Sequence, residues 1–157
     1  MRSVRRRRLE KKTDYKSRLS LLKGNTLRLV ARKTNRYIIV QIVESRQAQD
    51  KVVIGITSKK LLEKGWAKNN QGSLKNITAA YLTGYLIGKS ALEKNIKLAI
   101  FDMGMHRNVH KSRLYAVLKG AIDAGLKIPH NSEALPSDEE INKNEKFKAT
   151  LTKIARA

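Results

Sequence analysis

The chain of 157 residues is long enough for one domain with its own core and too short for two comfortable ones. Its 34 Lys and Arg against 13 Asp and Glu give a formal net charge of +21, which indicates a polyanionic partner, nucleic acid first. Because Cys is absent and no apolar run approaches the roughly 18 residues of a membrane span, we expect no disulfide, no thiolate site, no membrane attachment and no secretory signal.

The positive charge is concentrated at the start of the chain. Residues 1–36 contain 14 Lys or Arg and 2 acidic residues, and "RRRRLEKKTDYKSRL" at 5–19 is the densest stretch. Such a run by itself is as often a solvated tail or a localisation signal as a nucleic-acid contact. Hydrophobic residues still make up 41% of the chain, so a folded domain is expected behind the charge.

The first predicted element after the arginines is a short helix. Thr13 or Asp14 is a candidate N-cap, Leu19 and Leu22 supply apolar contacts, and Gly24 is placed to end the helix.

Three β-strands are predicted next. "TLRLVARK" alternates apolar and other residues, as a half-buried strand does, whereas "RYIIVQIVE" has an unbroken apolar centre that predicts cover on both faces. Thr34–Asn35 is the expected two-residue turn between them. "KVVIGIT" at 51–57 completes a three-stranded meander.

Helices dominate the middle of the chain. Ser58 is a candidate cap for a short helix that ends at Gly65, and Asn76 caps a long helix over 77–94 that is apolar nearly all round. Small residues along one stripe of this long helix predict close packing against a sheet or another helix. They are Ala80, Gly84, Gly88 and Ala91.

A fourth strand and two further helices complete the prediction. "KLAIFD" at 97–102 is the strand, and an amphipathic helix over 114–122 follows, closed by Gly125. Ser137 and Glu140 form a capping box for a C-terminal helix whose acidic start should dock on basic surface. The apolar stripe of that helix is Phe147, Leu151 and Ile154.

These elements predict an α/β fold, a mixed β-sheet sandwich with helices on its faces. We expect a single domain over 1–157, with a basic N-terminal arm at 1–12, an α/β core at 13–130 and a helical tail at 131–157.

Catalytic and metal-binding patterns are weak. His106 and His110 would face one way on a helix, as zinc ligands do, but Arg107 lies between them and no carboxylate stands beside them. Asp102 is the sole acidic residue in its neighbourhood, too few for the two-metal centre of a nuclease. No glycine-rich phosphate loop is present. We therefore expect no catalytic residue, no metal and no cofactor.

Basic residues form three clusters separated in sequence, which favours nucleic-acid binding over a solvated tail. Arginine engages phosphate bidentately, Tyr15 offers a stacking surface, and a helix N-terminus attracts phosphate. The arm cluster comprises Arg5, Arg6, Arg7, Arg8, Lys11, Lys12, Tyr15 and Arg18. The hairpin cluster comprises Arg28, Arg32, Lys33 and Arg36. The loop cluster comprises His106, Arg107, His110, Lys111, Ser112 and Arg113.

Folded RNA is the favoured polyanion, because the cations are spread over arm, hairpin and loop and no helix-turn-helix, zinc finger or leucine zipper is visible. Two alternatives remain. One is a protein that coats DNA non-specifically. The other is an RNA-processing enzyme on a ribonuclease-H-like scaffold, which would need a cluster of carboxylates at strand ends, where only Asp102 is found. Trp66 fits either the core or a base platform. Four tyrosines in apolar patterns are expected in the core, namely Tyr37, Tyr81, Tyr85 and Tyr115.

Four ordered stretches covering about residues 5–130 carry a family resemblance. They are "RRRRLEKKTDYKSRL", "LRLVARKTNRYIIVQIVE", "AAYLTGYLIGKSALEK" and "FDMGMHRNVHKSRLYAVLKGAIDAGLKIPH". Together they resemble the large-subunit ribosomal proteins of the L-eighteen family in the archaeal form, counterpart of eukaryotic L-five. The long insert and C-terminal extension of the eukaryotic form are not found, and the loop "RNVHKSR" departs from the proline- and glycine-containing loop of the family.

The resemblance implies a ribonuclease-H-like α/β sandwich without catalytic activity, in a cytoplasmic ribosome. Its implied partners are 5S rRNA, the large-subunit (23S-type) rRNA and other proteins of the central protuberance, with no membrane and no homo-oligomer. By position it implies RNA contacts in the arm cluster, in the loop cluster and along the hairpin from Arg32. The hairpin residues that it adds are Thr34, Asn35, Tyr37 and Gln41.

Overall fold

The fold is built from short helices and strands around one mixed sheet, and the computed structural model describes residues 4–46, 49–66 and 72–143. In chain order its elements are α1 (Arg6–Leu9), α2 (Tyr15–Lys23), β1 (Arg28–Lys33), β2 (Ile38–Arg46), β3 (Gln49–Thr57), a 3-10 helix (Ser58–Leu62), α3 (Ile77–Glu93), β4 (Ile100–Asp102), α4 (Arg113–Asp123), a 3-10 turn (Ser132–Ala134) and α5 (Asp138–Asn142). The predicted stripe of Phe147, Leu151 and Ile154 lies outside the described residues.

The described strands pair in the order β3-β2-β1-β4, antiparallel except for the parallel pair β1 and β4. The predicted fold class, an α/β structure with a mixed sheet and helices, is confirmed, and the ribonuclease-H-like motif stays a prediction. Because parallel strands end at the same edge of a sheet, the turn after β1 and the loop after β4 are neighbours.

One face of the sheet, the core face, packs against α3 and α4. Leu29 pairs with Ile42 on this face, and both side chains are fully buried. The prediction that β2 is covered on both faces holds at Val43, but Ile39 and Gln41 on the outer face stay partly exposed. The apolar run therefore keeps the alternation of a strand with one buried face.

Helices α3 and α4 pack closely through glycines. A Cβ at Gly84 would overlap the Val117 carbonyl, and a Cβ at Gly120 would overlap the Tyr81 carbonyl. The predicted stripe of small residues thus meets a helix at Gly84, and the two backbones touch where a side chain would separate them.

The turn between β1 and β2 lies one residue further along than predicted. The Thr34 N–H donates to the Tyr37 carbonyl at 2.9 Å, so Asn35 and Arg36 are the central residues instead of Thr34 and Asn35. The Thr34 hydroxyl also accepts the Tyr37 N–H at 3.0 Å, which extends the hairpin by this pair.

Ser58 does not cap a helix, contrary to the prediction. Its buried hydroxyl accepts the Ile38 N–H at 3.1 Å, and the 3-10 helix that follows has Thr57 at its N-cap. Trp66, for which core and base platform were both open, is 2% exposed and belongs to the core.

Helix α2 lies on the surface. Asp14 caps it by accepting the N–H groups of Lys16 and Ser17, and it ends at Gly24 as predicted. No residue of α2 is buried, and Leu19 is 57% exposed, so the predicted apolar contact of Leu19 is wrong.

The start of the C-terminal tail follows the prediction. Ser137 and Glu140 form the capping box of α5. The acidic first turn docks on a basic residue, because Lys119 Nζ lies 2.6 Å from Asp138 Oδ1 and 2.9 Å from the Pro136 carbonyl oxygen. Within the described ranges, no helix has the length and apolarity to cross a membrane.

Candidate nucleic-acid interface

The carboxyl end of β1 brings the three basic clusters together. Arg32 and Lys33 are the last residues of this strand and line two different cavities. The arm cavity, of about 140 Å³, is lined by Arg32 together with Arg7, Lys12 and Arg18 of the arm cluster. The loop cavity, of about 420 Å³, has Lys33 beside residues of the loop cluster. The parallel pairing of β1 and β4 is what places hairpin and loop side by side.

The arm cluster is partly organised by internal contacts. The Arg5 guanidinium lies 4.7 Å from the centre of the Tyr15 ring, a cation–π contact. Arg7 Nε donates to Thr13 Oγ1 at 2.9 Å. Arg6 and Lys12 both pair with Glu10 while their own side chains stay mostly exposed.

Arg8 and Lys11, the remaining arm cations of the prediction, are exposed. Arg18 on α2 is about one-third exposed and pairs with Asp50 Oδ2 at 3.0 Å. This ion pair ties the surface helix to the edge strand β3.

Arg28 differs from the rest of the hairpin cluster, because its side chain is only 3% exposed. Its Nη1 lies 2.7 Å from Asp102 Oδ2, and its Nη2 lies 2.7 Å from Asp50 Oδ1 and 2.8 Å from Ser45 Oγ. The guanidinium thus faces two protein carboxylates and not solvent, so Arg28 is a structural residue of the sheet.

Asp102 organises the end of β4. Its carboxylate accepts from Arg28, from Arg32 Nη2 at 3.0 Å and from the Gly104 N–H at 2.8 Å. The prediction that Asp102 is the sole acidic residue nearby is wrong, since Asp50 contacts the same Arg28 guanidinium. The strand register, which pairs Ser45 with Asp50, brings this second carboxylate in.

Arginine side chains pair with both Asp50 and Asp102, so the two carboxylates do not form an open metal site. Burial raises the pKa of Asp50, but hydrogen bonds from Ser45, Arg28 and Arg18 outweigh it and hold the pKa below its usual value. Across the described ranges, no group of three or more His, Asp or Glu side chains is arranged to bind a metal ion.

Arg32 is held at the mouth of the arm cavity with its side chain 37% exposed. Its Nη1 donates to the Asp102 carbonyl at 2.7 Å. Gly104, at φ +63°, lets the guanidinium lie against the backbone, since a Cβ there would come within 2.8 Å of Arg32 Cζ.

The turn residues of the hairpin project from the sheet. Lys33, Thr34, Asn35 and Arg36 are exposed. Tyr37 is half-buried against the core, as expected for an apolar pattern.

Gln41 is not at this end of the sheet. It pairs with Val30 and Gly55 in the middle of the outer face, and it is partly buried.

The loop cluster forms no helix at 106–110, so the two histidines do not align as zinc ligands would. His106 Nε2 accepts the Lys33 N–H at 3.1 Å, which joins the loop to the hairpin. Burial, followed by the charges of Arg32 and Lys33, lowers the pKa of His106. The ring is therefore neutral near pH 7, as an acceptor nitrogen requires.

Two contacts fix the rest of the loop. Tyr115 Oη donates to Asn108 Oδ1 at 2.7 Å, and the His110 ring packs edge-on against the Tyr115 ring. The Lys111 N–H donates to the Ala134 carbonyl at 2.8 Å. Ser112 is the N-cap of α4, and Arg107 and Arg113 beside it are exposed.

The sequence reasoning missed the residues that hold the cations in place. Gly104, two residues after the predicted strand, was a usable signal for a tight backbone position. Asp50 and Tyr115 carried no such signal, because their partners lie on other elements.

Comparison with known proteins places the chain in a family. The family profile described as "Ribosomal large subunit proteins 60S L5, and 50S L18" matches residues 1–98 and 95–131. The chain belongs to this family.

Among curated relatives, proteins named "Large ribosomal subunit protein uL18" are similar over most of the chain. The protein of Aeropyrum pernix is 46% identical over 137 residues, covering 87% of this chain and 62% of its own length. That of Caldivirga maquilingensis is 46% identical over 138 residues, covering 87% and 65%. That of Korarchaeum cryptofilum is 46% identical over 136 residues, covering 87% and 68%. The chain thus spans less than two thirds of the first two relatives.

Proposed function

We propose that the chain is a structural, non-catalytic protein of the large ribosomal subunit that binds 5S rRNA and attaches it to the subunit. Membership in the ribosomal family supports the subunit role. The observation that carries the RNA part is the convergence of arm, hairpin and loop cations at the carboxyl end of β1.

The surface suits an irregular folded RNA better than a uniform duplex. Its cations lie on an arm, a turn and a loop. Among the described helices, consecutive cations occur in α1, whose single turn is too short to lie along a major groove. Asp50 and Asp102 neutralise the inner arginines, Arg28 above all, while Arg8, Arg36 and Arg107 stay exposed. The buried ion pairs thus supply a rigid base and the exposed cations supply the phosphate contacts.

Within this proposal, the RNA-contacting residues are the arm and loop clusters, Arg32 to Tyr37 and Gln41. Arg28 supports them from inside the sheet. We further propose the large-subunit rRNA and proteins of the central protuberance as neighbours, a cytoplasmic ribosome as the location, and a single domain with arm, core and tail. These finer points rest on the family resemblance.

Removal of the arm charges tests the proposal. Replacing Arg5, Arg6, Arg7 and Arg8 by Gln should weaken 5S rRNA binding sharply. The slope of the logarithm of the binding constant against the logarithm of the salt concentration should become shallower by about three if most of these arginines contact phosphates. The control removes four exposed cations elsewhere, with the same loss of charge. These are Lys59, Lys60, Lys64 and Lys97. The measurement is equilibrium RNA binding across a salt series, with duplex DNA as competitor.

The control variant should retain most of the affinity. Equal losses in the two variants, or equal competition by duplex DNA, would favour the non-specific DNA-coating alternative. Metal-dependent RNA cleavage that Asp102→Asn abolishes would favour the enzyme alternative instead.

A further inference from the structure

Both cationic and apolar side chains line the loop cavity. Lys33, Arg107 and Arg113 supply the cations, and no acidic residue is among the described residues that line it. Ile77, Val109 and Leu114 supply the apolar wall. Val109 is 48% exposed although it lies in a basic loop.

The first turn of α4 opens at this cavity. Ser112 is the N-cap, yet its side chain makes no capping hydrogen bond. Its hydroxyl oxygen has less than 1 Å² exposed and no hydrogen-bond partner among the described residues. The first N–H groups of a helix lack intrahelical acceptors, so this turn is suited to an anionic oxygen.

The size of the cavity argues against phosphate as the whole ligand. About 420 Å³ lies within the range of pockets that bind small organic molecules, roughly 300–1,000 Å³. A phosphate at the cations and at α4 would leave the apolar wall uncovered. A nucleotide has an anionic group and an apolar ring face, which match the two kinds of side chain that line the cavity.

We propose that the loop cavity holds one nucleotide turned out of the bound RNA, with its phosphate near Arg107, Arg113 and the first turn of α4 and its base against Val109. Sequence-specific RNA recognition commonly targets unstacked bases of loops, bulges and ends. The proposal rests on the proposed function for the source of the nucleotide. His106 forms a fixed part of the wall, because its Nε2 is bonded to the Lys33 N–H.

Two exposed valines offer a matched test. Val109 is 48% exposed in the cavity, and Val52 is 49% exposed on edge strand β3. Val109→Glu puts a carboxylate among the cations and should weaken 5S rRNA binding by about tenfold or more. Val52→Glu makes the same charge change and should bind within about twofold of the unmodified chain. Equal thermal melting of the two variants checks that both are folded.

Single-nucleotide chemical probing of the complex identifies the base. One nucleotide should change reactivity in the unmodified complex, lose that change with Val109→Glu and keep it with Val52→Glu. Val109→Ala removes the apolar contact without charge and should weaken binding by about threefold with the salt slope unchanged. Unaltered affinity and footprint in both Val109 variants would overturn the proposal and would favour a protein as the occupant.

A titration with uridine 5′-monophosphate separates this proposal from the proposed function. The nucleotide should shift the methyl NMR signals of Ile77, Val109 and Leu114, and inorganic phosphate should leave them in place. If the chain fails to bind 5S rRNA but the nucleotide shifts the methyl signals, nucleotide binding in the loop cavity is supported and the proposed function is wrong. If phosphate and nucleotide give the same shifts, or neither shifts the methyl signals, the nucleotide proposal falls.

Discussion

At the scale of single residues, the buried Arg28 links β1 to β2, β3 and β4 through its side-chain hydrogen bonds. Arg28 is 3% exposed and Asp102 is 7% exposed, so neither charge is solvated by water. Each depends on the other, because removing one partner of a buried ion pair leaves an uncompensated charge.

We therefore predict that Asp102→Asn lowers the free energy of unfolding by about 3 kcal/mol, the low end of the range for broken buried pairs, since Asp50 still contacts Arg28. Urea denaturation measures this change in the free energy of unfolding. The control is Asp138→Asn, which removes an ion pair whose carboxylate is 82% exposed and should cost less than about 1 kcal/mol. Similar losses in both variants would mean that the Arg28 network contributes little.

His106 should make the stability of the chain depend on pH. Its pKa is lowered from 6.5 in the fold, so the unfolded chain binds more protons in the interval below 6.5. Stability contributed by the neutral ring is therefore present above about pH 6.5 and is lost as the pH falls from there towards the lowered pKa.

We expect His106→Gln to reduce this acid sensitivity, because the Gln carbonyl accepts the Lys33 N–H and does not titrate. The measurement is the free energy of unfolding from about pH 7.5 to about pH 5.5 in both proteins. Parallel curves would show that another group is responsible.

At the scale of secondary-structure elements, α3 and α4 pack in backbone contact at Gly84 and Gly120. Gly84→Ala should destabilise the protein by about 1–3 kcal/mol, the usual cost of overpacking, because the new methyl group meets the Val117 carbonyl. Ala is the better helix former by up to about 1 kcal/mol, so any loss reports packing. Thermal denaturation measures it.

Gly72→Ala is the control for this substitution, since no described atom beyond the chain neighbours lies within 4 Å of a Cβ at Gly72. Its melting temperature should stay close to that of the unmodified chain. A stable Gly84→Ala protein would mean that the helices separate easily.

Periodicity in the sequence predicted most of these elements correctly. Strand alternation, the Asn76 cap of α3 and the capping box of α5 all appear in the structure. One error arises because a side chain binds the backbone of another element. The sequence offered Ser58 as a helix cap, but in the fold its hydroxyl accepts the N–H of Ile38 on β2. Local patterns contain no information about such partners.

At the scale of the whole molecule, the candidate interface depends on a pairing that the sequence does not reveal. The clusters themselves were visible as runs of basic residues. Which arginine stays exposed was not visible, because Arg28 and Arg32 occupy the same face of β1. Arg28 pairs with carboxylates of both β3 and β4, whereas Arg32 pairs with that of β4. Alternation predicts the face of a side chain, whereas its charge partners follow from tertiary structure.

The parallel pairing of β1 with β4 also sets an order of events during synthesis. Arg28 and Asp102 are 74 residues apart, and helix α3 lies between them. A nascent chain therefore exposes its cationic arm long before the carboxylate that neutralises Arg28 has been translated. Until β4 joins, the arm cavity lacks Asp102 and Gly104, and Arg28 lacks its buried counterion. The growing polypeptide is thus most exposed to unselective polyanions during the translation of the intervening segment.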